Sequence, residues 1–175
     1  MRWITFAILL YCVTVIQTTV APMLKLHGVW PDFLVIVAVY YALAAAPRDA
    51  MLACWVVGLA IDLTGASYLE HGNVGIAALS LGLIAILLVK ARELTFRDSI
   101  WTALFFTFTA ELILSVLVGV HRLYVAKAPG RLGDVATVGV YLAAYTAVVA
   151  PYVHWILRQL RGVLGVGVSY RWGVR

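Results

Sequence analysis

Charge is scarce in this chain. Asp, Glu, Lys and Arg make up 12% of its 175 residues, against roughly 25% in an ordinary soluble domain. So little charge cannot cover the surface of a soluble globule of this size, and 64% of the residues are hydrophobic. Mean hydropathy is +0.99. The chain therefore reads as an integral membrane protein. Its length leaves no room for a soluble domain beside the spans, so one membrane domain over 1–175 is expected.

Chemistry-bearing residues are equally thin. Cys12 and Cys54 lie inside apolar runs, where a thiol behaves as a small hydrophobe. No His/Cys cluster at ligand spacing accompanies them, so neither a disulfide nor a metal site is expected. The four histidines, His27, His71, His121 and His154, are scattered. Glu70 and His71 place an acid beside an imidazole, but no third group at ligand spacing joins them. Ser67 in "GASYLEHG" lacks the flanking glycines of a nucleophile elbow. "GVG" and "GVLGVGV" lack the strand–turn–helix context of a phosphate loop. Intramembrane enzymes need a convergent set of such groups, so no catalytic residue and no cofactor are expected. The net charge of +5 comes from basic residues at the ends of apolar runs, the habit of membrane flanks. Nucleic acid is not an expected partner; the lipid bilayer is.

Six apolar runs approach the roughly 20 residues a helix needs to cross the hydrocarbon core: 3–21, 30–46, 49–64, 73–90, 98–120 and 134–158. The predicted fold is all-α, a bundle of about six transmembrane helices with a short tail over 159–175. The first run is too long for a signal-peptide core of about 7–15 residues, so it is read as a retained helix. Pro31 suits the first turn of the second helix. The second and third runs are short enough to form a re-entrant hairpin. The charged Pro47–Arg48–Asp49 break between them favours two crossings instead.

With the N-terminus inside, nine of the thirteen Lys and Arg fall on the cytoplasmic side, and Lys25, Arg122, Lys127 and Arg131 fall outside. The positive-inside rule thus favours cytoplasmic termini. The basic outer loop 121–133 runs against that trend. Gly139, Ala143 and Ala147, like Ala38, Ala42 and Ala46, recur at four-residue spacing and suit close helix packing.

Three polar side chains interrupt the runs: Gln17, Asp62 and Glu111. An ionised Asp at a helix centre costs roughly 2.5–3.5 kcal/mol on insertion scales, so such groups face a bundle interior and have partners. Asp62 falls near an outer helix end, with outer basic residues available as counter-charges, and a structural role is favoured for it. Glu111 lies deeper and no mid-span Lys or Arg is available to it. Structural and functional roles stand level there.

The segments "QTTVAP", "GVWPDFLVIVAVYYAL" and "GLAIDLTGASYLEHGNVGIAALSLGLIAILLVKAR" together resemble the bacterial rod shape-determining protein MreD family. Pro31 and Asp32 match the family's start of the second span. Gly58 and Asp62 match the closure of the third, Gly65 the following loop, and Gly75 the opening of the fourth. The likeness covers about residues 15–92 and extends to the last two spans by hydropathy alone. It implies a non-enzymatic subunit of the inner (cytoplasmic) membrane within the cell-wall elongation machinery. Implied partners are a single-span MreC-like protein, the actin-like MreB, and the elongation-specific polymerase and transpeptidase. Gln17, Pro31, Asp32, Gly58, Asp62, Gly65, Gly75 and Glu111 are the candidate structural or docking residues. The family's fold is similar to the substrate-binding subunits of energy-coupling-factor transporters, so a small-solute binding subunit is the alternative reading.

Overall fold

A computed structural model describes residues 1–26, 28–65, 75–92, 99–125 and 132–166. Within them the chain forms α1 (Trp3–Thr19), a 3-10 turn (Ala21–Leu24), α2 (Phe33–Ala44), α3 (Pro47–Thr64), α4 (Ile76–Ala91), α5 (Ile100–Val125), α6 (Leu132–Gln159) and the short α7 (Arg161–Leu164). Ser67, the Glu70–His71 pair, residues 126–131 of the outer loop and the tail from 167 lie outside the described residues.

The burial pattern is that of a protein whose solvent is lipid. Large apolar side chains point outward all around the bundle, among them Ile4, Leu79, Phe105 and Val148. Gln17, Asp32, Thr107, Glu111, Ser115 and Thr146 are buried. Water would not leave so much apolar surface exposed, whereas hydrocarbon drives polar groups toward one another. The stretches Ile100–His121 and Val135–Gln159 are long and apolar enough to cross a membrane.

α2 is the axis of the bundle. Every residue from Leu34 to Leu43 is buried, so the helix is apolar all round, as a helix enclosed by others must be. It is shorter than the apolar run that contains it. At about 1.5 Å per residue it covers about 18 Å, and the preceding residues 30–32 are non-helical. Pro31 does not occupy the first turn as its sequence position suggested. Asp32 is the N-cap, its Oδ1 accepting from Leu34 N at 3.0 Å and Val35 N at 3.2 Å. A carboxylate that fills both orphan amides fixes the helix start one residue beyond the proline.

The ends of the bundle are sorted. The Met1 ammonium pairs with Asp49 at 3.3 Å, and Arg2 N donates to Leu164 O. The chain start, the α2–α3 turn and α7 therefore share one end. Arg92 joins them, buried, with Nη1 donating to Ala42 O at 2.8 Å and Ala45 O at 2.6 Å. That guanidinium satisfies carbonyls left over at the C-terminus of α2 and complements its negative pole.

α5 and α6 form an antiparallel pair whose register is fixed at two points. A Cβ on Gly139 would meet Ser115 Cβ at 3.1 Å, and one on Gly119 would collide with the Val135 side chain. Each step along α5 is matched by one step back along α6, so Glu111 is level with Ala143 and Thr107 with Ala147. The small-residue stripe of α6 is thus the face that meets α5.

α3 and α4 cross more tightly still. A Cβ at Gly58 would lie 2.5 Å from Ala78 Cα and 2.6 Å from Ala77 O, so only glycine fits. Gly58→Leu is expected to destabilise the bundle by at least about 2 kcal/mol, the scale of overpacking. Gly82→Ala, whose Cβ would sit 3.6 Å from Trp55, is expected to be neutral or stabilising by up to about 1 kcal/mol. Thermal unfolding of the two purified variants in one detergent checks the contrast.

Candidate functional site

The carboxylate of Asp62 lies at the last turn of α3, one turn beyond Gly58 on the same helix face. The Gly58 contact brings the start of α4 against that face. Asp62 then reaches across, Oδ1 accepting from Ala77 N at 3.0 Å and Oδ2 from Ala78 N at 2.9 Å. α4 begins after Gly75, which has no side chain to cap it and stands at φ 110°. Asp62 therefore supplies from a neighbouring helix the cap that α4 cannot supply itself. Its charge also faces the positive pole of α4. Its partners are amides, not the outer basic residues anticipated from the sequence. Gly65 ends α3 in the left-handed conformation, φ 57°, with its N–H donating to Ile61 O at 3.0 Å.

A second knot joins α1, α2 and α6. Gln17 is buried, its Nε2 donating to Pro31 O at 3.2 Å and its Oε1 accepting from Phe33 N at 2.7 Å. Both faces of one amide are used to hold the turn that enters α2. Asp32 N donates to Thr146 Oγ1 of α6 at 3.1 Å, while the Asp32 carboxylate caps α2. Of the residues singled out from the sequence, Gln17, Pro31 and Asp32 converge here, and Gly58, Asp62 and Gly75 converge at the α3–α4 contact.

Glu111 belongs with the first group. It is fully buried near the middle of the Ile100–His121 stretch, and neither carboxylate oxygen has a hydrogen-bond partner. Thr107 and Ser115 lie one turn to either side on the same face, also buried and with unpartnered hydroxyls. Thr146 is within one turn of the level of Glu111, and Asp32 is bonded to Thr146. His154 is elsewhere, about three turns along α6, edge-on to Tyr40 at 5.5 Å. Among the described residues no group of three His, Cys, Asp or Glu converges.

Sequence reasoning missed Arg92, Thr107, Ser115 and Thr146. By sequence Arg92 is one of the nine basic residues on the cytoplasmic side, although "YALAAAP" leaves α2 without a glycine to close its carbonyls. The four-residue spacing of Thr107, Glu111 and Ser115 was a usable signal, because it places all three on one helix face.

An all-helical bundle with apolar side chains outward and the carboxylates of Asp32 and Asp62 turned inward onto helix starts is a helical membrane protein. The profile of the family described as rod shape-determining protein MreD matches residues 1–129, and the chain belongs to that family. No curated protein and no solved structure matches the chain.

Asp62→Leu removes two hydrogen bonds to a charged acceptor and strands two buried amides. It is expected to cost about 3 kcal/mol, with Asp62→Asn losing roughly half as much because one acceptor oxygen remains. Thermal unfolding and folded yield in detergent measure the order wild type, Asn, Leu. Gln17→Leu is expected to cost about 2 kcal/mol by leaving Pro31 O and Phe33 N unpaired.

Proposed function

We propose that this protein is a non-enzymatic scaffold of the cell-wall elongation complex in the bacterial inner membrane, where it holds partner helices and so helps maintain cell shape. The observation that carries the reading is the family match over residues 1–129. The bundle's construction supports it. Asp32 and Asp62 are spent on helix caps that fix the fold, and its outward faces are apolar. Six crossings with both termini in the cytoplasm suit this arrangement. The end bearing Arg2, Arg48 and Arg92 also holds the chain start and α7, and excess basic charge marks a cytoplasmic end.

Partner chemistry follows from the surface. A groove of about 600 Å³ lies between α5 and α6, with Ile100, Leu104, Tyr152, Trp155 and Arg158 in its lining. A single-span helix of an MreC-like protein is the kind of occupant such an apolar, aromatic groove suits, with Arg158 at the cytoplasmic end. α5 and α6, about 39 and 42 Å long, outreach α1 at about 26 Å. Tyr145 of α6 donates to Leu24 O beyond the end of α1, so the α5–α6 hairpin projects past that level on the outer side. That overhang offers a second contact for the periplasmic parts of partners. MreB and the polymerase–transpeptidase pair complete the expected complex.

Depletion of the protein in a rod-shaped host is expected to give rounded cells. Affinity purification of the tagged chain is expected to recover a single-span coiled-coil protein. Trp155→Ala together with Tyr152→Ala is expected to reduce that recovery while leaving thermal stability within about 1 kcal/mol. Normal shape on depletion and undiminished recovery with the double variant would overturn the reading.

A further inference from the structure

The Glu111 seam is not explained by scaffolding. Every other described carboxylate in the bundle interior has a structural use: Asp32 caps α2 and Asp62 caps α4. Glu111 caps nothing. It is on the middle of a helix, fully buried, with both oxygens unpartnered. Helical side chains lean toward the N-terminus, so the Glu111 carboxylate leans toward Thr107, whose buried hydroxyl is likewise unpartnered. Thr107 and Thr146 are level within a residue in the α5–α6 register, and Thr146 is bonded to Asp32. Ala143 and Ala147, both buried, keep the opposing face of α6 small.

Glu111 and Thr107 of α5, Thr146 of α6 and Asp32 at the start of α2 thus lie within about one turn of a common level. Two are carboxylates. The positive pole of α2 points here, about half an elementary charge, but Asp32 already takes the amides that carry it. Gln17 is fully used by Pro31 and Phe33. The backbone at 30–32 is non-helical inside the bundle, and irregular backbone at membrane depth persists where it is enclosed by protein or lines a polar site. Buried acidic groups in such settings mark ion sites.

We propose that the seam between α2, α5 and α6 binds one monovalent metal cation, with the Glu111 carboxylate and the Thr107 hydroxyl as ligands and Asp32 as the second negative charge. The donor set is all oxygen, which suits hard cations. The Asp32 charge is already held by the α2 amides, so Glu111 leaves a single charge to balance, which one monovalent ion does, and no nitrogen or sulfur donor cluster forms among the described residues. The bound charge neutralises the Glu111 carboxylate and ties α5 to the start of α2. This inference rests on the seam alone and is independent of partner docking.

The test is made on the purified full-length protein in nanodiscs. Equilibrium dialysis against sodium or potassium, with metal analysis of the retained fraction, is expected to give one bound cation per chain for one of them. The same salt is expected to raise Tm saturably, and choline chloride at equal ionic strength is not. Glu111→Gln, which keeps the shape, is expected to abolish both effects. Thr107→Val, which keeps both carboxylates, is expected to weaken binding by at least about tenfold, and Ser115→Ala by much less. Identical melting in sodium, potassium and choline with no retained metal would overturn the proposal. So would retention unchanged in Glu111→Gln, which would put the ion elsewhere. If Glu111→Gln does not fold, the Thr107→Val and Ser115→Ala pair decides: equal cation affinity in both overturns the site.

Discussion

In hydrocarbon a backbone amide has nothing to bond except the protein itself, and each one left unpaired costs several kcal/mol. The start of every helix presents up to four such amides. In this bundle that constraint explains where the carboxylates are. Asp62 closes the start of α4 from a neighbouring helix, at 3.0 and 2.9 Å, and Asp32 closes the start of α2 from within it. Arg92 does the converse at the carbonyl end of α2. Charged groups that would be expensive alone become the means by which helix ends are held at fixed positions.

The caps and the close packing depend on each other. Asp62 reaches Ala77 and Ala78 only because Gly58, one turn earlier, lets the α4 backbone lie against α3. Without that approach the carboxylate would face apolar side chains instead of amides. The same pairing of small residue and polar group recurs between α5 and α6, where Gly139 seats Ser115 and Ala143 lies level with Glu111. Van der Waals approach and polar contact are the two forces left to helix association once lipid removes the hydrophobic drive, and between α3 and α4 they act at the same positions. Glu111 differs from the capping acids in having no amide to receive, which is why it points to a bound ion and not to helix closure.

Membership of the MreD family over residues 1–129 sets this apolar-surfaced bundle in rod shape determination. The groove lined by Tyr152 and Trp155 lies on helices held from within by Tyr40, whose hydroxyl donates to Leu157 O at 3.0 Å.

The sequence by itself determined the solvent, the helical class and the approximate placing of the helices. Those follow from the scarcity of charge and the length of apolar runs, properties additive along the chain. It also exposed "WPDF" as a helix start, though not that Asp32 rather than Pro31 forms the boundary. What it could not determine was which amide Asp62 serves, that Arg92 is buried against α2, or that Thr107 and Glu111 lie within about a turn of the level of Thr146 and Asp32. A carboxylate near the end of a hydrophobic run has the same local sequence whether it meets water, a basic side chain or the start of another helix. Only the crossing of α3 and α4 at Gly58 and the register of α5 on α6 decide among them, because hydrogen bonds require partners within about 3 Å and that proximity is set by packing between distant segments.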